Sequence, residues 1–160
     1  MPWSAHKAHL VRPLMLLSKG KESLTTINYP GAQATSAVAV NNAGTVVGYY
    51  DINDTGPHAF LYQNGNFTNI DYAGSNYTAA TAISNFGVVA GYFSSLTTGL
   101  HGFTYYNGTF TQVDKPGATG TAVTGINDHN DLFGVWYPTI GEENFRAVPL
   151  AASVQPLVAP

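Results

Sequence analysis

The chain repeats itself every 43 residues, and this period limits the folds it can adopt more than any other feature. Residues 25–67 and 68–110 align without gaps and carry the same amino acid at 20 of 43 positions. A third, more divergent copy covers residues 111–154 and keeps Gly117 and Gly134 at the matching places. A period of about 40–45 residues with strand-like content is typical of β-propeller blades.

Each repeat is predicted to contain four short strands that are joined by tight turns. Asn64-Gly65 and Asn107-Gly108 are two-residue hairpin signals, because Asn and Gly tolerate the left-handed backbone that such turns need. The strands expected in the first repeat are residues 35–40, 45–50, 58–62 and 66–71. We therefore predict an all-β protein, a β-propeller of three such repeats that is either three-bladed or part of a larger ring completed by oligomerisation, for instance as a homodimer.

The repeats define the predicted domain organisation. Residues 25–154 form the repeat domain, and residues 155–160 form a C-terminal tail. Residues 1–24 precede the first repeat and contain a candidate ring-closing strand that could pair with the degenerate last copy and cover an open sheet edge. The apolar patch at Leu14–Leu17 is shorter than the core of about seven residues that a signal peptide needs.

Composition excludes several functional classes. The net charge of −3 gives no basic surface for nucleic acid or an anionic membrane. No apolar run approaches the roughly 18 residues that predict a transmembrane helix. The chain has no cysteine, so disulfides and thiolate metal sites are absent. With charged residues at 9% and aromatic residues at 12%, the profile favours a turn-rich β protein.

Three strings recur in fixed order and carry a family resemblance. They are A-x-A-[VI]-x-N-x-G-x-V-x-G-Y, H-[AG]-F-x-Y-x-N-G-x-F and [IV]-[ND]-x-[PA]-G. Over residues 25–148 the chain resembles the HAF-type repeat proteins, which are predicted bacterial extracellular proteins. The resemblance implies a β-rich repeat protein with an extracellular or periplasmic location, and it implies no particular activity. The third copy departs from the pattern, because Glu143 stands where the other copies have histidine.

The repeated histidines are the first candidates for a catalytic or metal-binding role. His58 and His101 occupy equivalent strand positions, and Glu143 follows at the third. As catalytic residues the histidines would act as general bases or metal ligands on one rim, with Glu143 making the site asymmetric. The alternative is that each histidine bonds a loop and braces its own blade. We favour this structural interpretation, since a residue present in each repeat usually serves the repeat.

The turns after the first strand of each repeat carry a second set of polar side chains. Asn42, Asn85 and Asp128 are expected to cap their own turns, as short Asn and Asp side chains commonly do. The residues before them are less necessary for the turn, and their side-chain oxygens could point into a central channel as ligands. These neighbours are Asn41, Ser84 and Asn127.

Two acidic patches break the repeat and predict calcium binding. Asp51, Asn53 and Thr55 alternate before a glycine, like the start of an oxygen-ligand calcium loop. The second patch supplies amide and carboxylate oxygens within five residues, from Asn127, Asp128 and Asp131. The alternative is that both patches are polar surface loops. A soft transition metal is disfavoured, because the chain lacks clustered His and Cys.

Two functions follow from these residues. In the first, the protein is a small hydrolase in which calcium polarises the carbonyl of a lactone or ester and a carboxylate or histidine activates water. In the second, it is a non-catalytic module that binds a glycan or a protein through exposed aromatic residues. The candidate aromatic residues are Tyr49, Tyr50, Tyr92, Tyr105 and Tyr106. The alternative, which we favour for most of them, is packing between the sheets. The hydrolase is preferred, because acidic residues concentrate where the repeat is broken.

Overall fold

The fold was examined in a computed structural model of the protein, which describes residues 15–17, 24–53, 55–138 and 146–150. Every regular secondary-structure element within these ranges is a β-strand, so the all-β prediction is confirmed for the part of the chain described. None of these residues belongs to a helix long and apolar enough to cross a membrane.

Thirteen strands follow one another along the chain. Two short ones come before β3: β1 (Met15–Leu17) and β2 (Leu24–Thr26), which overlaps the start of the first repeat. The first repeat contains β3 (Ala34–Val40), β4 (Val46–Asp51), β5 (Pro57–Gln63) and β6 (Asn66–Asn69). The second contains β7 (Tyr77–Ile83), β8 (Val89–Ser95), β9 (Gly99–Tyr106) and β10 (Thr109–Val113). The third contains β11 (Gly120–Ile126), β12 (Leu132–Tyr137) and β13 (Arg146–Leu150).

Each repeat folds into an antiparallel meander. Strands β3 to β6 pair in sequence order as one sheet, and β7 to β10 pair in the same way. Strands β11 to β13 continue the pattern in the third repeat. A single parallel pair, Gly120 with Leu100, joins the second and third repeats into a larger sheet that curls strongly. The four-strand prediction is therefore confirmed for the first two repeats.

The first strand of every repeat carries a β-bulge at the same place. The register shifts between Ala37 and Ala39, and equivalent shifts occur in β7 and β11. Opposite the bulge, a Cβ on Gly48 would collide with the carbonyl oxygen of Ser36, and one on Gly91 would collide with that of Ala79. The close approach of two backbones thus explains why glycine recurs at this position of the second strand.

Hydrophobic packing runs between repeats as well as within them. Val47 and Ala59 of the first repeat share one cluster with Ala80, Ile83 and Phe103 of the second. A further cluster joins the second and third repeats through Ala90, Val123 and Leu132. Each repeat therefore buries one face against its neighbour, as expected of units that cannot form a core alone.

An aromatic stack recurs beside the turn that leads into each repeat. Tyr29 and Tyr50 stack with ring centroids 3.5 Å apart, and Tyr72 and Phe93 stack at 3.7 Å. In the third repeat the ammonium group of Lys115 lies 6.0 Å from the ring centre of Trp136. In this repeat a cation–π contact therefore replaces the aromatic stack.

The segments outside the repeats are described only in part. Strand β1 pairs antiparallel with β2, its neighbour along the chain. Most of residues 1–24 and all of the tail at 155–160 lie outside the described residues. The ring-closing role of residues 1–24 therefore stays a prediction.

Phe103 tests the packing between repeats. Its side chain is fully buried in the cluster shared by the first two repeats. We expect Phe103→Ala to lower the free energy of unfolding by about 3–5 kcal/mol, because it leaves a cavity in this cluster. Phe86 is 68% exposed, and Phe86→Ala should change stability by less than about 0.5 kcal/mol. Urea unfolding of both variants measures the difference, and equal losses would contradict the assignment of the core.

Candidate functional site

The first repeated histidine lies in a network that ties the third strand to the turn between repeats. His58 Nδ1 lies 2.8 Å from Asp71 Oδ2, and the backbone N–H of Ala59 donates to Asp71 Oδ1 at 2.9 Å. On the other side of the ring, His58 Nε2 lies 3.1 Å from the hydroxyl oxygen of Thr55. Both ring nitrogens therefore have protein partners.

The second histidine repeats this arrangement. His101 Nδ1 lies 2.9 Å from Asp114 Oδ2, and Nε2 lies 3.0 Å from the carbonyl oxygen of Thr98. Because an equivalent His–Asp pair occurs in both repeats, the geometry favours the bracing interpretation over catalysis. Glu143, the third predicted catalytic residue, lies outside the described residues. The catalytic roles of His58, His101 and Glu143 stay predictions.

Successive repeats are also joined by a ladder of hydrogen bonds between their turns. The backbone N–H of Asn42 donates to Asn85 Oδ1 at 2.8 Å, and that of Asn85 donates to Asp128 Oδ1 at 2.9 Å. The side-chain amide of Asn85 also donates to Asp128 Oδ2 at 2.7 Å. We call Asn42, Asn85 and Asp128 the turn ladder. The backbone and side-chain hydrogen bonds from Asn85 lower the pKa of the Asp128 carboxyl below its ordinary value.

Two adjacent sets of turn residues have roles that differ from those expected from the sequence. Asn41 Oδ1 accepts hydrogen bonds from the backbone of Ala43 and Thr45, and Asn127 Oδ1 accepts from His129 and Asp131. Asn41 and Asn127, which could have faced a channel, therefore cap their own turns, and Asn41 Nδ2 also donates to the carbonyl oxygen of Ser84 at 3.3 Å. The turn ladder, predicted to cap, links neighbouring repeats. Asn and Asp favour both roles, so residue type alone could not separate them.

The second predicted calcium patch is used within the protein. Asn127 Nδ2 donates to Asp131 Oδ2 at 2.8 Å, and both carboxylate oxygens of Asp128 accept from Asn85. Across the described residues, no group of three or more His, Cys, Asp or Glu side chains could hold a metal ion. Calcium binding at Asn127, Asp128 and Asp131 stays a prediction.

The first predicted calcium patch spans the last residue of β4, Asp51, and the loop that follows it. Thr55 donates its hydroxyl to the carbonyl oxygen of Ile52 at 2.7 Å, and Asn53 adopts a left-handed backbone with φ of 57°. Asp51 Oδ1 is buried and has no hydrogen-bond partner among the described residues. Of the three predicted ligands in this loop, Asp51 alone therefore has a buried oxygen without a partner.

Four tyrosines from all three repeats converge at one end of the sheets. Tyr77 and Tyr92 meet edge to face, with ring centroids 6.2 Å apart and planes at 85°. Burial raises the pKa of Tyr92, and the phenol groups of Tyr49, Tyr77 and Tyr137 raise it further. Tyr77 thus contacts Tyr92 directly, and Tyr49 and Tyr137 lie within electrostatic range of it. We call these four residues the tyrosine cluster.

The loop after β4 contacts this cluster at Tyr77. Ala34 pairs with Asp51 in the first repeat, and Gly120 pairs with Tyr137 at the equivalent place in the third. Asp51 thus occupies the position that Tyr137 fills two repeats later. A Cβ on Gly56 would lie 3.4 Å from Cβ of Tyr77, so the loop after β4 contacts the second repeat at the cluster.

Some tyrosines predicted to lie on a binding rim belong to the core instead. Tyr50 is 4% exposed and stacks on Tyr29, and Tyr105 packs against the cluster shared by the first two repeats. Tyr77 and Tyr137 were missed in the sequence analysis. Both break the repeat, since Ala34 and Gly120 are the counterparts of Tyr77, so a search for aromatic residues unique to one repeat would have found them.

Comparison with known proteins assigns no family to the chain. No protein-family model matches it, and no curated protein is significantly similar to it. The resemblance to HAF-type repeats therefore stays a prediction.

The turn ladder predicts a specific response to acid. Because the pKa of Asp128 is lowered in the folded protein, its contribution to stability is present above the ordinary aspartate pKa and is lost as the pH falls through the folded value. Asp128→Asn removes this titration and places in the third turn the residue found in the other two. We expect the urea midpoint to fall less steeply below about pH 5 in Asp128→Asn than in the wild type. Identical slopes in the two proteins would contradict this role of Asp128.

Proposed function

We propose that the three repeats are blades of a β-propeller and that the protein is a non-catalytic module that binds glycans at the tyrosine cluster. The observation that carries the proposal is the convergence of Tyr49, Tyr77 and Tyr137 around Tyr92. These tyrosines come from three different repeats, and two of them replace small or polar residues of the other copies. A feature that departs from the repeat is a stronger sign of function than one that serves it.

Three features support the propeller arrangement. Each repeat is an antiparallel meander, each first strand carries a bulge at the same place, and a shared apolar cluster joins each repeat to the next. The turn ladder adds hydrogen bonds at a constant separation of 43 residues. A regular step from one meander to the next is what a radial arrangement of blades requires.

The chemistry of the cluster suits carbohydrate. A tyrosine ring offers an apolar face to the C–H groups of a sugar, and its hydroxyl donates and accepts hydrogen bonds. Tyr49, Tyr77 and Tyr92 are partly exposed, and Tyr137 is 40% exposed. Sugar binding also agrees with the extracellular or periplasmic location implied by the HAF resemblance.

Alanine substitutions in the cluster test glycan binding. We expect the wild type to bind members of a glycan array, and Tyr92→Ala and Tyr137→Ala each to weaken the best ligand at least about tenfold, since a stacked ring contributes roughly 1–3 kcal/mol. Tyr106→Ala is the matched control, because Tyr106 is also partly buried but lies beside the hairpin turn at Asn107-Gly108. Absence of any glycan signal, or equal losses in all three variants, would reject the proposal.

Calcium-assisted hydrolysis of a lactone or ester is the second candidate. The observation that favours it is the buried Asp51 Oδ1, which has no partner among the described residues and could ligate a hard cation with Asn53 and Thr55. In this mechanism the cation would polarise the substrate carbonyl, and a carboxylate or histidine would activate water. Turnover of a lactone and ester panel with calcium, lost on chelation, would favour the hydrolase over the binding module. No turnover in either condition would reject it.

Thermal unfolding tests calcium binding separately from catalysis. A ligand that binds only the folded state raises stability, so a bound calcium ion predicts a higher Tm with calcium than with chelator. The effect should disappear in Asp51→Asn, which keeps the side-chain shape and removes the charge. Asp114→Asn is the control, because Asp114 belongs to the His101 brace. An unchanged Tm in the wild type would remove Asp51 as a calcium ligand.

A further inference from the structure

The first and last repeats expose positions whose counterparts are buried or partly buried where two repeats meet. Val40 is 45% exposed, whereas Ile83, its counterpart in the second repeat, is 9% exposed because the first repeat packs on it. Phe133 is also 45% exposed, whereas its counterparts Val47 and Ala90 are fully buried under the following repeat. The surface around Val40 thus corresponds to one side of the contact between repeats, and the surface around Phe133 corresponds to the other side. In the single chain neither surface is covered by another repeat.

The turn ladder stops at the same two places. Inside the chain, the backbone N–H of each turn residue donates to the side-chain oxygen of the next. At one end, the side chain of Asn42 accepts no hydrogen bond from the described residues. At the other end, the backbone N–H of Asp128 donates none to them. One end therefore offers an acceptor beside Val40, and the other offers a donor on the repeat that carries Phe133.

We propose that a second copy of this chain docks head to tail on these ends. The backbone N–H of Asp128 in one copy donates to Asn42 Oδ1 of its partner, and Phe133 packs on the partner's Val40. The contact uses the geometry that already joins Asn42 to Asn85 and Asn85 to Asp128, so it continues an interface that the chain builds twice. Side-chain sizes also match, because the larger Phe133 meets valine where the smaller Ala90 shares a cluster with Ile126.

Two such contacts close a ring of six repeats with twofold symmetry. Head-to-tail contacts either close into a ring or continue as an open filament, and six repeats lie within the usual range of about 4–8 propeller blades. Closure by a single chain would bury Val40 and Phe133 against each other, whereas both are 45% exposed. The closed ring rests on the propeller arrangement proposed above, whereas the docking contact rests on the exposed ends alone.

Single cysteine variants test the contact, because the chain has no cysteine of its own. We expect an equimolar mixture of Val40→Cys and Phe133→Cys to give a covalent species of twice the 17.0 kDa chain mass with a short bis-maleimide. Neither variant alone should cross-link to itself, since a head-to-tail contact never brings two copies of one position together. Leu96→Cys is the control, as Leu96 is 90% exposed and lies in the loop between β8 and β9.

Light scattering on the unmodified protein supplies the second readout. A mass of two chains is expected, and Val40→Asp should reduce it to one chain with an unchanged far-UV circular dichroism spectrum, because Val40 lies at the surface of the single chain. A single-chain mass for the wild type would overturn the proposal. Self-linking of Val40→Cys would replace head-to-tail docking with a face-to-face dimer, and a ladder of larger species would overturn closure by two copies. If the wild type forms the dimer but binds no glycan, the proposed function is rejected and the docking proposal stands.

Discussion

The structure depends on the contact between one repeat and the next. A meander of four short strands has two apolar faces and too little interior to bury either of them. In this chain, Val47 and Ala59 of one repeat cover Ile83 and Phe103 of the next, and the turn ladder fixes the spacing of the two units. Packing and hydrogen bonding thus act at the same junction, which gives each repeat its position relative to its neighbour.

The contact between repeats also involves polar residues that the sequence suggests as catalytic or metal-binding candidates. The His58–Asp71 and His101–Asp114 pairs join the third strand to the turn that enters the next repeat. Asn85 joins its neighbours on both sides. The histidines and asparagines that recur with the period thus have partners that recur with it, and the tyrosine cluster, formed by residues that do not all recur, is the proposed glycan site.

Sequence patterns predicted the strands well and the side-chain contacts less well. The 43-residue period, the Asn-Gly hairpins and the alternation of apolar residues depend on local backbone geometry, so the strands of the first two repeats follow from them. The partners of Asn41 and Asn42 could not be predicted, because two adjacent amides are equally able to cap a turn and the choice depends on the neighbouring repeat. Tyr77 and Tyr137 are far apart in sequence, and only the packing of three repeats brings them to Tyr92.

The central claim is that the recurring polar residues hold the fold while the tyrosine cluster binds the ligand. Nuclear magnetic resonance of the aromatic side chains during titration with a glycan tests it most directly. The account predicts shifts concentrated on the rings of Tyr49, Tyr77, Tyr92 and Tyr137, with the rings of His58 and His101 unchanged. Shifts centred on the two histidines, with the tyrosine cluster unaffected, would contradict it.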